Sequence, residues 1–162
     1  MNGLKERWAA GDSVVGAWSL IPDGLAAETV ARAGFDFVCI DNQHGVNDYA
    51  STVHMLQVLA LSSSVPLVRV PWNEPGVIGK MLDAGAHGIV VPMVNSAEEA
   101  EAAVRACRYP PDGARSYGPV AAGMRTVDYA TSANEAITCI PMIETVAAVD
   151  ALDAILALEG VD

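Results

Sequence analysis

Short apolar runs alternate with segments of helical spacing along almost the whole chain. Val14 to Leu20 predicts a first strand, and Gly24 to Ala33 predicts a helix that Gly34 closes. Phe37-Val38-Cys39-Ile40 predicts a second strand ending at Asp41. From about Asp48 to Leu61 the spacing of Val53, Leu56, Leu59 and Ala60 is helical. Pro66-Leu67-Val68 predicts a third strand, ending near Arg69. Pro75 opens the next helix where its missing N–H does no harm, and Gly85 closes it. Gly88-Ile89-Val90-Val91-Pro92 predicts a fourth strand. Ser96 then caps a helix running to about Cys107, with Glu98, Glu99 and Glu101 at the positive end of its dipole. Tyr109 to Pro119 is rich in Pro and Gly and predicts a loop. An irregular helix over Tyr129 to Ala136, a fifth strand within Ile137 to Ile143 and a helix from Val146 to about Leu158 complete the pattern.

Strand–helix alternation of this kind calls for a parallel α/β sheet with helices packed outside it. Two architectures fit. An open doubly wound sheet is natural for 162 residues, whereas a TIM (β/α)8 barrel takes about 250 residues and eight units. The first βα turn, Ser19-Leu20-Ile21-Pro22-Asp23, lacks the glycine-rich fingerprint that a nucleotide-binding open sheet would carry.

Polar chemistry gathers where the strands end. In parallel α/β proteins the carboxyl ends of the strands are where ligands bind. The second strand delivers Asp41-Asn42-Gln43-His44-Gly45, the third delivers Arg69, and the fifth delivers Glu144. An imidazole titrates near neutrality and suits proton transfer. A guanidinium can hold charge building on oxygen. Taken alone, each has a bland reading: a hydrogen-bonded His, an Arg in a structural ion pair, a Glu favoured by a helix dipole. Together, on three strand ends, they point to an enzyme. His54 falls inside a helix with no second ligand at i+4, and His87 precedes the fourth strand, on the stability face of a barrel. Trp18 and Trp72 follow strands and are candidates to line a pocket.

Charge and composition then exclude several classes. A formal net charge of −11 argues against nucleic acid, whose binding rests on Lys and Arg neutralising phosphates, and against anionic membrane surfaces. It does not exclude an anionic small substrate held by one local Arg. No run approaches the roughly 18 apolar residues of a membrane span. The stretch from Met1 to Trp8 mixes charges and lacks the apolar core of a signal peptide, so a soluble cytoplasmic protein is expected. Cys39, Cys107 and Cys139 show no CxxC spacing, and a disulfide framework is not expected.

Several motifs occur together in the order of one family: Gly16-Ala17-Trp18, Ala33-Gly34-Phe35-Asp36-Phe37, Ile40-Asp41-Asn42-Gln43-His44-Gly45, Val68-Arg69-Val70-Pro71-Trp72-Asn73, Leu82-Asp83-Ala84-Gly85-Ala86, Val91-Pro92-Met93-Val94, Arg108-Tyr109-Pro110-Pro111-Asp112-Gly113 and Ile143-Glu144-Thr145. The chain resembles the HpcH/HpaI aldolases, class II pyruvate-type aldolases such as hydroxy-oxoheptanedioate aldolase and deoxy-oxo-glucarate aldolase. The resemblance implies a TIM barrel of which residues 1–162 supply about the first five βα units as one partial domain. It implies reversible cleavage of 4-hydroxy-2-oxo acids to pyruvate, or a related 2-oxo acid, and an aldehyde. It also implies a divalent metal ion (Mg, Mn, Co or Zn) bound by Glu144, with a second carboxylate expected beyond Asp162, and a homo-oligomer, hexameric in the family. His44 becomes the proton relay, Asp83 its partner and Arg69 the holder of substrate oxygens, with Trp18, Gln43 and Met142 against the substrate. Two positions depart from the family's better-known members: Gln43 stands where they carry Glu, and Met142 where they carry Gln. The rival readings are a related acyl-CoA or oxo-acid lyase and a non-catalytic open α/β ligand-binding domain.

Overall fold

Successive strand side chains join two different hydrophobic clusters in turn, and this period of two divides one sheet, buried on both sides, into two faces. The computed structural model describes residues 3–162; Met1 and Asn2, the first residues of the expected domain and of its N-terminal stretch, lie outside them. Strands β1 (Gly16–Ser19), β2 (Phe37–Asp41), β3 (Val65–Arg69), β4 (Gly88–Val91) and β5 (Thr138–Pro141) pair in parallel in the order β1-β2-β3-β4-β5. Each strand lies beside its successor in sequence, so the winding never reverses. A doubly wound sheet must reverse at a switch point. The order therefore excludes the open-sheet alternative and gives five consecutive units of TIM-barrel type.

Val38, Ile40, Val68, Ile89, Val91 and Cys139 belong to the larger hydrophobic core. Against them pack α2 (Gly24–Arg32), α3 (Tyr49–Leu59), α4 (Pro75–Asp83) and α5 (Ala97–Cys107), through Ala27, Ala31, Met55, Leu56, Leu59, Ile78, Leu82, Ala100 and Ala103. The intervening strand positions, Cys39, Val65, Leu67 and Val90, form a smaller cluster on the other, concave face. Phe37, Ile140 and Met142 are half-buried against it. All three cysteines are buried and free.

The helices start where their caps dictate. Asp23 accepts from the Ala26 N–H at 2.8 Å, and Asp48 exchanges bonds with Ser51 in a capping box. Glu74 accepts from the Gly76 and Val77 N–H groups ahead of α4, and Ser96 accepts from the Glu99 N–H ahead of α5. After α4 the chain turns at Gly85 with φ +110°, a left-handed conformation that glycine adopts without a Cβ penalty.

Three elements differ from the sequence pattern. A short helix α1 (Leu4–Ala9) precedes β1, and its buried Leu4 joins the concave cluster beside Val65, the first residue of β3. It therefore plugs the amino end of the sheet. Six residues rich in charge carry too little periodicity to announce a helix; Arg7 on Asp36 (2.6 Å) and Lys5 on Asp162 (3.0 Å) help to seat it. A second short helix, α6 (Val120–Arg125), follows the Pro/Gly-rich loop and leads to α7 (Tyr129–Ala136). The single helix expected from Val146 is broken into α8 (Val146–Asp150) and α9 (Leu152–Leu156) at Ala151, a strong helix former whose identity gives no hint of a break. No helix among the described residues is long and apolar enough to cross a membrane.

Ile89 is fully buried in β4, between β3 and β5. Ile89→Ala is expected to lower unfolding stability by about 2–5 kcal/mol, the usual loss for a large-to-small core change. Urea denaturation measures it, and a near-neutral result would show that the helices do not close over this face as described.

Candidate active site

The register of two strands creates the site's central contact. Asp41 and Arg69 are the last residues of β2 and β3 and stand directly opposite each other. Alternation from Cys39 and Leu67 puts both side chains on the concave face. Asp41 is completely buried. Arg69 donates to it twice, Nε to Oδ1 at 3.0 Å and Nη2 to Oδ2 at 2.5 Å. Such two-pronged pairs fix orientation as well as charge. The Trp18 indole N–H adds a bond to Oδ2 at 3.2 Å, and the backbone N–H groups of Gln43 and His44 add bonds to Oδ1 at 2.9 and 3.1 Å.

Burial by itself would raise the Asp41 pKa. The Arg69 side chain, the His44 and Gln43 N–H groups and the Trp18 indole outweigh it and hold the carboxyl well below the usual carboxylate range. Arg69 is held charged in return, chiefly by its bond to Asp41, with burial opposing and the charges of Asp41 and Glu144 adding.

The same carboxylate shapes the loop that carries His44. The Asn47 amide donates to the Asp41 carbonyl at 2.9 Å, and a Cβ on Gly45 would come within 2.3 Å of that oxygen, so only glycine fits there. The His44 ring is exposed and makes no hydrogen bond among the described residues, which leaves both nitrogens open to a ligand. Gln43 leaves its amide oxygen buried without a partner. The remaining Arg69 group, Nη1, faces Met142 Sδ at 3.9 Å, and the guanidinium lies 5.2 Å from the Trp18 ring centre. Trp18 and Met142 also wall a cavity of about 370 Å³ with Phe37, Leu67, Val90 and Ile140 on the concave face. None of His44, Arg69 and Glu144 is among its lining residues. Trp72 is exposed beyond β3.

Glu144 follows β5 and is exposed. Its Oε1 accepts from the Met93 backbone N–H at 2.8 Å, and Oε2 has no partner among the described residues. Those residues contain no group of three or more acidic, His or Cys side chains gathered for a metal. Asp41 is committed to Arg69. A hard divalent cation takes few protein carboxylates and keeps several waters, and the free Oε2 of Glu144 is a donor of that kind. Asp83 lies elsewhere. It ends α4, just before the amino end of β4, and its Oδ1 accepts from Arg115 Nη2 at 2.7 Å. Within one chain the structure joins His44 to Arg69 through Asp41 and ties Glu144 to the exit of β4, but it does not bring Asp83 to His44.

Asp41 is the site residue to which the sequence pattern assigns no role. Its signal, an acid at the last position of a buried strand, becomes readable only when register sets it against Arg69. A singly wound parallel sheet whose polar side chains gather at the carboxyl ends of its strands has the architecture of a TIM barrel. More narrowly, the chain belongs to the HpcH/HpaI aldolase/citrate lyase family, whose sequence profile matches residues 15–162.

It is 44% identical over 165 residues to a hydroxypyruvate/pyruvate aldolase of Roseovarius nubinhibens, covering 99% of this chain and 64% of that protein. It is 40% identical over 167 residues to a 5-keto-4-deoxy-D-glucarate aldolase of Shigella sonnei, again covering 99% and 64%. The crystal structure of a family protein from Burkholderia cenocepacia superposes with a TM-score of 0.90 at 37% identity, covering 98% of this chain and 66% of that one. The chain thus spans about 64% of the length of the curated relatives it matches.

Asp41→Asn keeps the shape of the side chain but leaves Arg69 without its counter-charge, and should cost roughly 3–5 kcal/mol. Folding lowers the Asp41 pKa, so its stabilising contribution is complete above the unfolded value near pH 4 and is lost as pH falls below it. Urea unfolding between about pH 7 and pH 3 should show this acid-labile component in the parent and a smaller one in the variant. Identical pH slopes would remove Asp41 from the centre of the site.

Proposed function

We propose that the protein carrying this chain is a divalent-metal-dependent aldolase that reversibly cleaves 4-hydroxy-2-oxo acids to pyruvate, or a related 2-oxo acid, and an aldehyde. The observation that carries the reading is the clamped guanidinium. Asp41 takes Nε and Nη2 of Arg69, so Nη1 is left for a negatively charged oxygen. Such a donor is preorganised, because Asp41, itself held by the Trp18 indole and two backbone N–H groups, fixes it before any ligand arrives.

In the cleavage direction the C3–C4 bond breaks and its electron pair moves into the enolate of the 2-oxo acid. Arg69 stabilises the charge on the enolate oxygen. His44 takes the proton of the 4-hydroxyl as the aldehyde forms, and returns a proton there in the condensation direction. Glu144 Oε2, together with waters, would hold the cation, and the unpaired Gln43 Oε1 would accept a hydrogen bond from a substrate hydroxyl. When bound, a divalent cation supplies Lewis-acid polarisation of the 2-oxo acid's oxygens. Trp18 and Met142 place apolar surface beside Arg69 and shape the substrate's non-reacting side.

Asp83 is held by Arg115 in its own chain, so the partnership with His44 that the family resemblance implies calls for a neighbouring copy. This agrees with the proposed homo-oligomer. The proposed setting is the cytoplasm, with small-molecule substrates and neither nucleic acid nor membrane as partner. An acyl-CoA lyase is the weaker reading, because a chain of net charge −11 offers little for a polyanionic carrier.

An aldol assay with pyruvate and a panel of aldehydes, with and without chelator, tests the reaction. Activity that survives complete chelation would refute metal dependence. His44→Ala should lower turnover by roughly 10²–10⁴-fold, the range for loss of a general acid–base. Arg69→Ala should be at least as harmful, since removing one preorganised charge-stabilising donor typically costs about 10²–10³-fold. Normal turnover in either variant would demote that residue to a structural role. Glu144→Gln should abolish Mn²⁺ binding in a titration that does not rely on turnover.

A further inference from the structure

Glu144 is aimed by a closed ring of hydrogen bonds that crosses from the loop after β4 to the loop after β5. Met93, just beyond β4, donates its backbone N–H to Glu144 Oε1 at 2.8 Å. The Asn95 side-chain amide donates to the Met93 carbonyl at 2.8 Å. Its oxygen accepts a hydrogen bond from the hydroxyl of Thr145, the residue after Glu144. Asn95 thus grips both ends of the segment pair that presents the carboxylate. Its own backbone N–H is anchored on Glu99 Oε2 at 2.7 Å, so the grip is tied to α5.

Met93 adds the second observation. It has φ +56°, a left-handed conformation that a non-glycine residue holds only where its surroundings over-determine it. Without the Asn95 amide on its carbonyl, Met93 loses one of the restraints that keep it there. The N–H it donates to Glu144 would then turn away.

We propose that Asn95 is a positioning residue for the divalent cation. By holding Met93 and Thr145 it fixes Oε1 of Glu144 and turns Oε2 outward as the ligand. The proposal rests on the reading of Glu144 as a metal ligand. Partners that orient a ligating carboxylate typically change metal affinity by about 10–100-fold when removed.

The test is a Mn²⁺ titration, followed by electron paramagnetic resonance of the free ion, on protein of native length, with denaturation curves as the check on folding. Asn95→Ala should stay folded and bind Mn²⁺ about 10–100-fold more weakly. Thr145→Val, which loses the hydroxyl, should weaken binding in the same direction, while Thr145→Ser should stay near the parent value. The Asn95→Ala/Thr145→Val double variant should bind hardly more weakly than Asn95→Ala alone, because both act on one ring.

A folded Asn95→Ala protein with parental Mn²⁺ affinity would overturn the proposal, even if it were less stable. Should Asn95→Ala fail to fold, equal affinities of Thr145→Val and Thr145→Ser would overturn it instead. Glu144→Gln separates the two levels. If it binds Mn²⁺ as the parent does, the ligand assignment itself falls; if it loses binding while Asn95→Ala keeps it, only the positioning role falls.

Discussion

The buried pair of Asp41 and Arg69 is the contact on which the rest of the site depends. A carboxylate with no exposure to water is tolerable only if its lone pairs and its charge are met. Here a two-pronged guanidinium, an indole and two backbone N–H groups meet them. Each donor is thereby fixed in turn. The loop carrying His44 folds over Asp41 because its N–H groups have that carboxylate to bind, and Trp18 turns inward for the same reason. One buried acid therefore locates the imidazole, the guanidinium and an aromatic wall.

The sheet supplies the geometry that this pair exploits. Parallel strands in sequential order put every carboxyl end on one rim, and alternation sends every second side chain to the concave face. The other face needs only apolar residues of the right size, and Val38, Ile40, Val68, Ile89 and Val91 meet the helices there. Stability and chemistry are thus divided between alternate residues of the same strands. Asp41 and Arg69 come one step beyond the last apolar layer of their strands, Cys39 and Leu67, and so stand at the rim rather than inside the core.

Glu144 is held by a different device. The strand that delivers it ends at Pro141, so the carboxylate sits on a loop, and its orientation comes from the neighbouring loop after β4 rather than from strand pairing. A left-handed Met93 and a bridging Asn95 do there what register does for Arg69. Rigid strand ends hold the organic part of the proposed chemistry, and a cross-linked loop pair holds the carboxylate.

Hydrophobic periodicity in the sequence was enough to place the five strands, most of the helices and the polar residues at the strand ends, because burial on a sheet of this kind imposes a local pattern that each segment carries by itself. The family motifs likewise pointed to His44, Arg69 and Glu144. Other features depended on which segments became neighbours. Strand order alone separated a barrel-type sheet from an open one; register alone turned Asp41 from a strand-end acid into the partner of Arg69. The opposite rim claimed Asp83 for Arg115, and the short helices α1 and α6 and the break at Ala151 left no periodic trace. The physical reason is common to all of these. A side chain's partner across strands or loops is set by three-dimensional packing over long sequence separations, and no window of sequence contains both halves of such a contact.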